Sequence, residues 1–281
     1  MSDSAHSGYG ALTATLPPVY FDLDTFVLDA AQATCVALPA AGVPAFLERL
    51  SGRGWAYVGP ASVVATVVAI SIAAASADVL TWIALVLVPP GAALALGWAA
   101  HGARPWLAPA IVPLLAFAIA DPDGPLGRAS RLMMIVGSVV TLGRLLAGSA
   151  PLLVLKAGVV AMTVIDSIFI FGHFWEEQNA TFNAAVPAEH LPRLQVADIG
   201  HTATDYGDYF IAGLVGGILA AERRPQALLA VATLVAAEAW NQLFLVTDSL
   251  PGTVPPCVVL LASELWHRRR ERAPRRVIVP T

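Results

Sequence analysis

The chain has 281 residues, of which 57% are hydrophobic and only 13% are charged, and its formal net charge is −4. A soluble domain typically has about 45–50% apolar and about 25% charged residues, so this composition excludes a soluble globular enzyme, a disordered chain and a nucleic-acid-binding protein. Because the apolar residues form long runs without charge, the sequence predicts an all-α, polytopic helical membrane protein that lies in the lipid bilayer.

Several segments are long and apolar enough to cross the membrane, which needs about 20 mostly apolar residues. Eight such segments lie near residues 57–77, 79–101, 105–120, 129–148, 150–173, 202–221, 226–246 and 253–267. Residues 30–47 are uncharged and long enough to form a ninth, although they are only mildly hydrophobic. The sequence therefore predicts eight to nine transmembrane helices.

These spans divide the chain into four parts. A polar N-terminal segment covers residues 1–29, and a first group of transmembrane helices covers 30–148. A second group covers 149–267, and a basic tail covers 268–281. The second group contains a polar loop at 174–201. A long polar segment between two spans usually carries function or regulation. The helices of 149–267 are expected to be the catalytic ones because of the acids that they carry.

Arginine placement predicts the orientation of the chain, because cytoplasmic loops are enriched in lysine and arginine. Six of the fifteen arginines lie between Arg268 and Arg276, so we expect the C-terminal tail in the cytoplasm. Counting back through the spans places the loop 174–201, whose only basic residue is Arg193, on the outer side. The protein is thus predicted to be an integral, multi-pass membrane protein.

Ionisable side chains inside a span cost roughly 2.5–3.5 kcal/mol on insertion scales, so they mark functional sites by default. The candidates are Arg144, Lys156, Asp166, Asp205, Asp208, Glu238 and Glu264. Arg144, Lys156 and Glu264 lie near cytoplasmic ends of spans, where long side chains reach the interface, which favours a structural role. Glu238 lies near the middle of its span and is expected to hydrogen-bond a neighbouring helix or to gate water.

Asp166 and Asp208 lie in apolar surroundings on the two spans that the outer loop joins. Asp166 comes nine residues before Trp175, and Asp208 comes seven residues after His201. At 1.5 Å per residue these positions predict depths of about 13 Å and about 10 Å below the outer surface. We therefore expect the two carboxyls to face each other. In a medium of low dielectric constant they share one proton.

Such a pair can activate water with its ionised member and protonate a carbonyl or a leaving amine with the other, without a metal or an organic cofactor. The same acids could instead form a proton or cation relay in a transporter, or hydrogen-bond two helices. Gly207 favours hydrolysis, because a glycine beside the carboxylate lets a backbone approach closely. Pro251 begins a proline-containing turn whose unpaired backbone groups either hold a substrate strand or simply start a helix.

The stretches IDSIFIFG, around Asp166, and YGDYFIAGLVGG, around Asp208, resemble the two aspartate motifs of a known family. This is the presenilin and signal peptide peptidase family of intramembrane aspartyl proteases. Pro251 of LPGTVPP is the best match to the family's third motif, Pro-Ala-Leu. The resemblance, strongest over 150–267, implies a presenilin-like fold with Asp166 and Asp208 as catalytic residues. It implies transmembrane segments or remnant signal peptides as substrates.

The chain departs from the family pattern in each of the three motifs. Ile165 replaces the tyrosine of the first motif, and Asp205 and Tyr206 replace the first glycine and the variable residue of the second. In the third motif, Gly252 and Thr253 replace alanine and leucine. The residues expected to bind substrate or support the acids are Asp205, Tyr206, Gly207, Pro251, Gly252 and Thr253.

Asp205 is expected to perturb Asp208 or to pair with His201, four residues earlier on the same helix face. These residues and His173 also give a metal-dependent hydrolase as an alternative. That alternative is weakened because no two histidines share one helix at ligand spacing. A prepilin-peptidase-like enzyme also uses a Gly-Asp motif, but its aspartates usually lie near the cytoplasmic side.

Overall fold

The structure is a computed structural model, and it describes residues 20–43, 75–174, 180–182 and 184–272. Most of these residues are helical, which confirms the predicted helical class, and one short β-hairpin is added to it. The predicted span at 57–77 lies outside the described residues except for its last three, which begin a helix at Ala75, and the tail beyond residue 272 lies outside them too.

Eight α-helices follow one another along the described chain. They are α1 (Leu23–Ala37), α2 (Ala75–Leu94), α3 (Ile111–Ala120), α4 (Pro125–Ser149), α5 (Leu152–Phe171), α6 (Tyr206–Ala221), α7 (Gln226–Asn241) and α8 (Val254–Arg272). A π-helix over Ala95–Ala99 extends α2, and 3-10 helices over Pro105–Ala110 and Gln242–Leu245 precede α3 and follow α7. The hairpin consists of β1 (Val196–Ile199) and β2 (Thr202–Asp205).

Four helical segments are long and apolar enough to cross a membrane. They are Ala77–Ala99, Pro125–Ser149, Leu152–Phe171 and Gln226–Leu245. Each matches a predicted span, at 79–101, 129–148, 150–173 and 226–246. The helical segments Pro105–Ala120 and Tyr206–Ala221 are apolar but shorter. By length and composition, the described part of the chain therefore contains four helices able to span a bilayer.

The prediction of a span over residues 30–47 is wrong in its bounds. The helix in this region is α1, which begins at Leu23 and has 15 residues. It starts inside the segment 1–29 that was predicted to be polar and separate. The carboxylate of Asp22 caps α1 by accepting a hydrogen bond from the backbone N–H of Thr25 over 3.0 Å. A cap of this kind fixes the start of a helix independently of its hydrophobicity.

The predicted span 202–221 also begins differently, because its first residues form β2. Ile199 pairs with Thr202 across a two-residue turn, in which Gly200 has a positive φ of 55°. Glycine adopts this conformation without a steric cost, and the β-branched Thr202 and Thr204 favour an extended strand. The helix α6 therefore starts only at Tyr206.

The helices α4 and α6 form the centre of the core. A Cβ added to Gly143 would lie 1.9 Å from the carbonyl oxygen of Gly213, and one added to Gly217 would lie 2.2 Å from that of Gly143. The two backbones are thus in direct contact, as expected for the small-residue face FIAGLVGG. Every residue of α6 from Tyr209 to Ala220 is buried, so the first turn of α6 has a rigid base.

Candidate functional site

Asp166 and Asp208 lie on the two adjoining helices α5 and α6. Asp166 comes five residues before the end of α5, and Asp208 is in the first turn of α6. Both side chains are partly buried, and their charges interact. They lie about 8 Å and about 3 Å from the nearer ends of these helices, at 1.5 Å per residue. Asp208 is nearer to the end of its helix than the predicted span 202–221 implied, because β2 takes the place of the first residues of that span.

The turn before α8 contacts both acids through two consecutive residues. The hydroxyl of Thr253 donates a hydrogen bond to Asp166 Oδ2 over 2.7 Å. A Cβ added to Gly252 would lie 2.8 Å from Asp208 Cγ, so any larger residue at this position would displace the carboxyl from where it lies. Pro251, which precedes them, is buried. Gly252 and Thr253, two of the residues predicted to support the acids, therefore lie against them.

Gln32 of α1 is a member of this site that sequence analysis missed. Its Nε2 donates to the carbonyl oxygen of Gly252 over 2.7 Å and lies 3.4 Å from the carbonyl oxygen of Asp208. The side chain is only 3% exposed. The available signal was an amide side chain near the start of the uncharged stretch 30–47, since an uncharged polar group in an apolar segment needs a partner.

The three residues before Asp208 have different positions. Gly207 is exposed, and a Cβ added to it would meet no heavy atom within 4 Å, so open space adjoins the residue that precedes Asp208. The hydroxyl of Tyr206 lies 2.8 Å from Ser138 Oγ, which anchors the start of α6 to α4. Asp205 ends β2, and its charge interacts with that of Asp208.

The prediction that Asp205 and His201 share a helix face is wrong, because both precede α6 in the hairpin. His201 lies in the turn, where its backbone N–H is 3.4 Å from Asp24 Oδ2. Thr202 at the start of β2 donates to Asp22 Oδ2 over 3.2 Å. The hairpin is thus attached to the N-terminal end of α1, the same helix that carries Gln32.

Two further acids extend from the site toward α7. Asn241 Nδ2 donates to Asp29 Oδ2 over 2.6 Å, which joins α7 to α1. The charge of Asp29 interacts with those of Asp208 and Glu238. Glu238 was expected to hydrogen-bond a neighbouring helix or to gate water. Its Oε1 is buried without a hydrogen-bond partner among the described residues.

An ion-pair cluster joins α5, α6 and α8 at a level away from the two aspartates. Lys156 Nζ on α5 binds the carboxylates of Glu222, just after α6, and Glu264 on α8. Arg224 joins the same cluster, with its Nε 2.7 Å from Glu222 Oε2. The contacts agree with the structural role expected for Lys156 and Glu264, since they join the start of α5, the end of α6 and the middle of α8.

Arg144 also has the structural role that its position predicted. Its Nε donates to the carbonyl oxygen of Gly42 over 2.7 Å, and its guanidinium carbon lies 4.0 Å from the centroid of the Trp98 ring. A stacked guanidinium that donates to backbone carbonyls binds neighbouring segments together. Arg144 therefore serves packing at a distance from the two aspartates.

Arg131 is a second residue that sequence analysis missed. It lies on α4 and is 2% exposed, and its Nη2 is 2.9 Å from Asp198 Oδ1 on β1. Arg128, one turn earlier on α4, lies 3.5 Å from the other oxygen of the same carboxylate. These pairs hold β1 against α4. An arginine inside the predicted span 129–148 was the signal that could have found this contact.

Among the described residues, no group of three or more histidine, cysteine, aspartate or glutamate side chains is arranged to hold a metal ion. The comparisons with known proteins give no relative: the chain matches no protein-family model, no curated protein and no solved structure.

Proposed function

We propose that the protein is an intramembrane aspartyl protease with eight or nine spans, its C-terminus in the cytoplasm and a signal-peptide-peptidase-like organisation. Its substrates would be transmembrane segments or remnant signal peptides. The observation that carries this proposal is the contact of two consecutive residues, Gly252 and Thr253, with Asp208 and Asp166. One turn thereby fixes the relative position of the two acids, as a reaction that uses both on one water molecule requires.

In the proposed reaction, Asp166 and Asp208 share one proton. The ionised acid takes a proton from water, whose oxygen attacks the carbonyl carbon of the scissile peptide bond, while the protonated acid donates to the carbonyl oxygen. The resulting gem-diol collapses when a proton passes to the amide nitrogen, and the C–N bond breaks. The products are a carboxylic acid and an amine, and the pair returns to its singly protonated state.

The surroundings of Asp208 support access by an extended peptide. A helical substrate must unwind locally, because its peptide groups are bonded to one another. Gly207, the residue before Asp208, adjoins open space, and β2 ends at Asp205, three residues before Asp208. Within the described chain, β2 is paired on one side only. A substrate strand that adds to its other edge would run toward Asp208.

The test is cleavage of a labelled transmembrane peptide by the purified protein in lipid vesicles. We compare the wild type with Asp166→Asn, Asp208→Asn and the control Asp123→Asn, which changes an exposed acid between α3 and α4. Cleavage is expected with the wild type and the control and is expected to be lost in the two site variants. Cleavage that persists in both site variants would overturn the proposal.

A proton-coupled transporter is the second candidate function. The observation that favours it is the series of interacting acids on four helices, Asp166, Asp208, Asp29 and Glu238. A relay would need Glu238, whereas peptide hydrolysis by the two aspartates would not. Dissipation of a pH gradient across vesicles that is lost in Glu238→Gln, without any peptide cleavage by the wild type, would support transport and exclude the protease.

A further inference from the structure

The carbonyl oxygen of Gly252 cannot be paired by the nearest amides of α8. In a helical first turn such an oxygen accepts from the N–H three or four residues later. Those positions are Pro255 and Pro256, and proline has no N–H. The turn that contacts both aspartates therefore needs a hydrogen-bond donor from another part of the chain.

Gln32 supplies this donor from α1. Its Nε2 is 2.7 Å from the Gly252 oxygen, and the same nitrogen is 3.4 Å from the carbonyl oxygen of Asp208. One amide group thus joins α1, the first turn of α6 and the turn before α8. Asp208 and the turn that contacts its side chain are held in register by the same atom.

The surroundings of Gln32 indicate that its hydrogen bond to the Gly252 carbonyl accounts for a polar residue at this position of α1. The neighbouring buried residues of α1 include Leu28, Ala33 and Val36, which pack in the apolar core. A buried amide costs free energy unless it is hydrogen-bonded, so packing alone would favour an apolar side chain at this position. The amide of Gln32 is useful only because of the backbone that it binds.

We infer that Gln32 is a positioning residue of the proposed protease, one that holds Gly252 and Thr253 against the two aspartates. The inference rests on the proposed function. Release of the Gly252 carbonyl would let the turn move, and the hydroxyl of Thr253 would then lose its fixed distance to Asp166. The N-terminal helix α1 is thereby part of the machinery that aligns the acids, although it carries neither of them.

The test uses Gln32→Met, which keeps the length of the side chain and removes the donor. The matched control is Thr34→Val, which changes an exposed residue of α1 whose hydroxyl bonds only within its own helix. In Gln32→Met we expect kcat to fall about tenfold or more, since the loss of one such donor is worth about a factor of ten. KM is expected to stay within about twofold of the wild-type value, since the substrate gains and loses no contact.

A second variant, Gln32→Glu, gives a readout that a purely packing role would not move. A protonated glutamate can donate to the Gly252 oxygen, whereas an ionised one only accepts and opposes it. The kcat of this variant, relative to the wild type at the same pH, is expected to decrease as the pH rises. A transition-state analogue with a tetrahedral hydroxyl is expected to bind each variant with an affinity that falls in parallel with its kcat.

The outcomes separate this inference from the proposed function. If the wild type cleaves, Asp166→Asn does not, and Gln32→Met keeps the wild-type kcat and analogue affinity, the positioning role is wrong while the protease stands. If the kcat of Gln32→Glu, divided by that of the wild type, does not change with pH, the positioning role is also wrong. This second measurement decides the question even if Gln32→Met does not fold. If the wild type does not cleave at all, the proposed function is wrong, and the inference falls with it.

Discussion

Thr253 donates a hydrogen bond to Asp166 across the junction between α8 and α5, over 2.7 Å and 87 positions of sequence. Thr253 is 4% exposed, so water does not readily replace its hydroxyl. The orientation of the Asp166 carboxylate therefore depends on the position of the turn before α8. The same turn places Gly252 against Asp208, so substitutions in this one turn test the surroundings of both acids.

Removal of this hydroxyl is expected to slow cleavage. Thr253→Val keeps the shape of the side chain and leaves one oxygen of Asp166 without its donor. A hydrogen bond to a charged group contributes about 1.5–3 kcal/mol, so kcat should fall about tenfold to a hundredfold. Thr253→Ser keeps the hydroxyl and is expected to retain most of the activity. Equal rates for the two variants would show that the hydrogen bond does not contribute.

The variant Gly252→Ala is expected to displace the carboxyl of Asp208. The added Cβ would lie 2.8 Å from Asp208 Cγ, and the atom that it meets belongs to a side chain that can rotate. The protein should therefore fold with a thermal midpoint close to that of the wild type, while kcat falls about tenfold or more because the acid is misplaced. Wild-type kcat in a folded Gly252→Ala protein would contradict this geometry.

The variant Gly207→Ala is expected to act on substrate binding. Its Cβ would occupy open space, so stability should not change, but the methyl group would stand beside Asp208 where a substrate backbone approaches. We expect KM to rise several-fold with kcat nearly unchanged, the reverse of the pattern for Gly252→Ala. An unchanged KM would mean that the substrate reaches Asp208 from another side.

Contact between α4 and α6 is expected to limit stability. In Gly143→Ala the new Cβ would lie 1.9 Å from the backbone oxygen of Gly213, which has no side-chain freedom to move aside. Overpacking of this kind costs typically about 1–3 kcal/mol, so the thermal midpoint should decrease clearly. Gly207→Ala is the matched control, because the same methyl group is added there without a neighbour. Equal midpoints for both variants would contradict the close contact.

The cap of α1 gives a pH-dependent prediction outside the spans. The hydroxyl and the backbone N–H of Thr25 lower the pKa of Asp22 below its ordinary value of 3.8, and Thr202 contributes in the same direction. A lowered pKa in the folded state contributes stability that is present above the unfolded-state pKa and is lost as the pH falls through the folded-state value. Asn is an equally good capping residue without the charge.

The measurement is the thermal midpoint of the wild type and of Asp22→Asn between pH 7 and the acid range. The wild type is expected to be the more stable protein at pH 7. Its advantage should shrink once the pH falls below about 4, where the carboxyl takes up its proton. A difference that stays constant, or that grows toward acid pH, would show that the charge of Asp22 plays no part.

Hydrophobic runs predicted the long helices well, because a run of about 20 apolar residues has few other ways to bury its backbone polar groups. They failed at Thr202–Asp205, where the chain forms β2 in place of the start of a helix. The alternating threonines and Gly200 favour a strand and a tight turn over the first turn of a helix. Mean hydropathy does not distinguish these outcomes.

That Asp166 and Asp208 lie at one turn could be predicted in part, because both are carboxyls in spans joined by one loop and the sequence pointed to Pro251, Gly252 and Thr253 as supporting residues. The part played by Gln32 could not be predicted in the same way. Its contact with Gly252 depends on how α1 packs against α6 and on which backbone oxygen two prolines leave unpaired. Such a partner is 220 positions away, and only the folded arrangement identifies it.

The cluster of Lys156, Glu222, Arg224 and Glu264 joins α5, α6 and α8 at a level away from the aspartates, near the start of α5, the end of α6 and the middle of α8. Because these ion pairs join the three helices at that level, the helices are expected to separate more easily near the aspartates. A substrate helix of the proposed protease would therefore enter between them from the aspartate side, and the ion-pair cluster would stop it from moving further. The position of the cluster would thus limit where along the substrate helix the cut could fall.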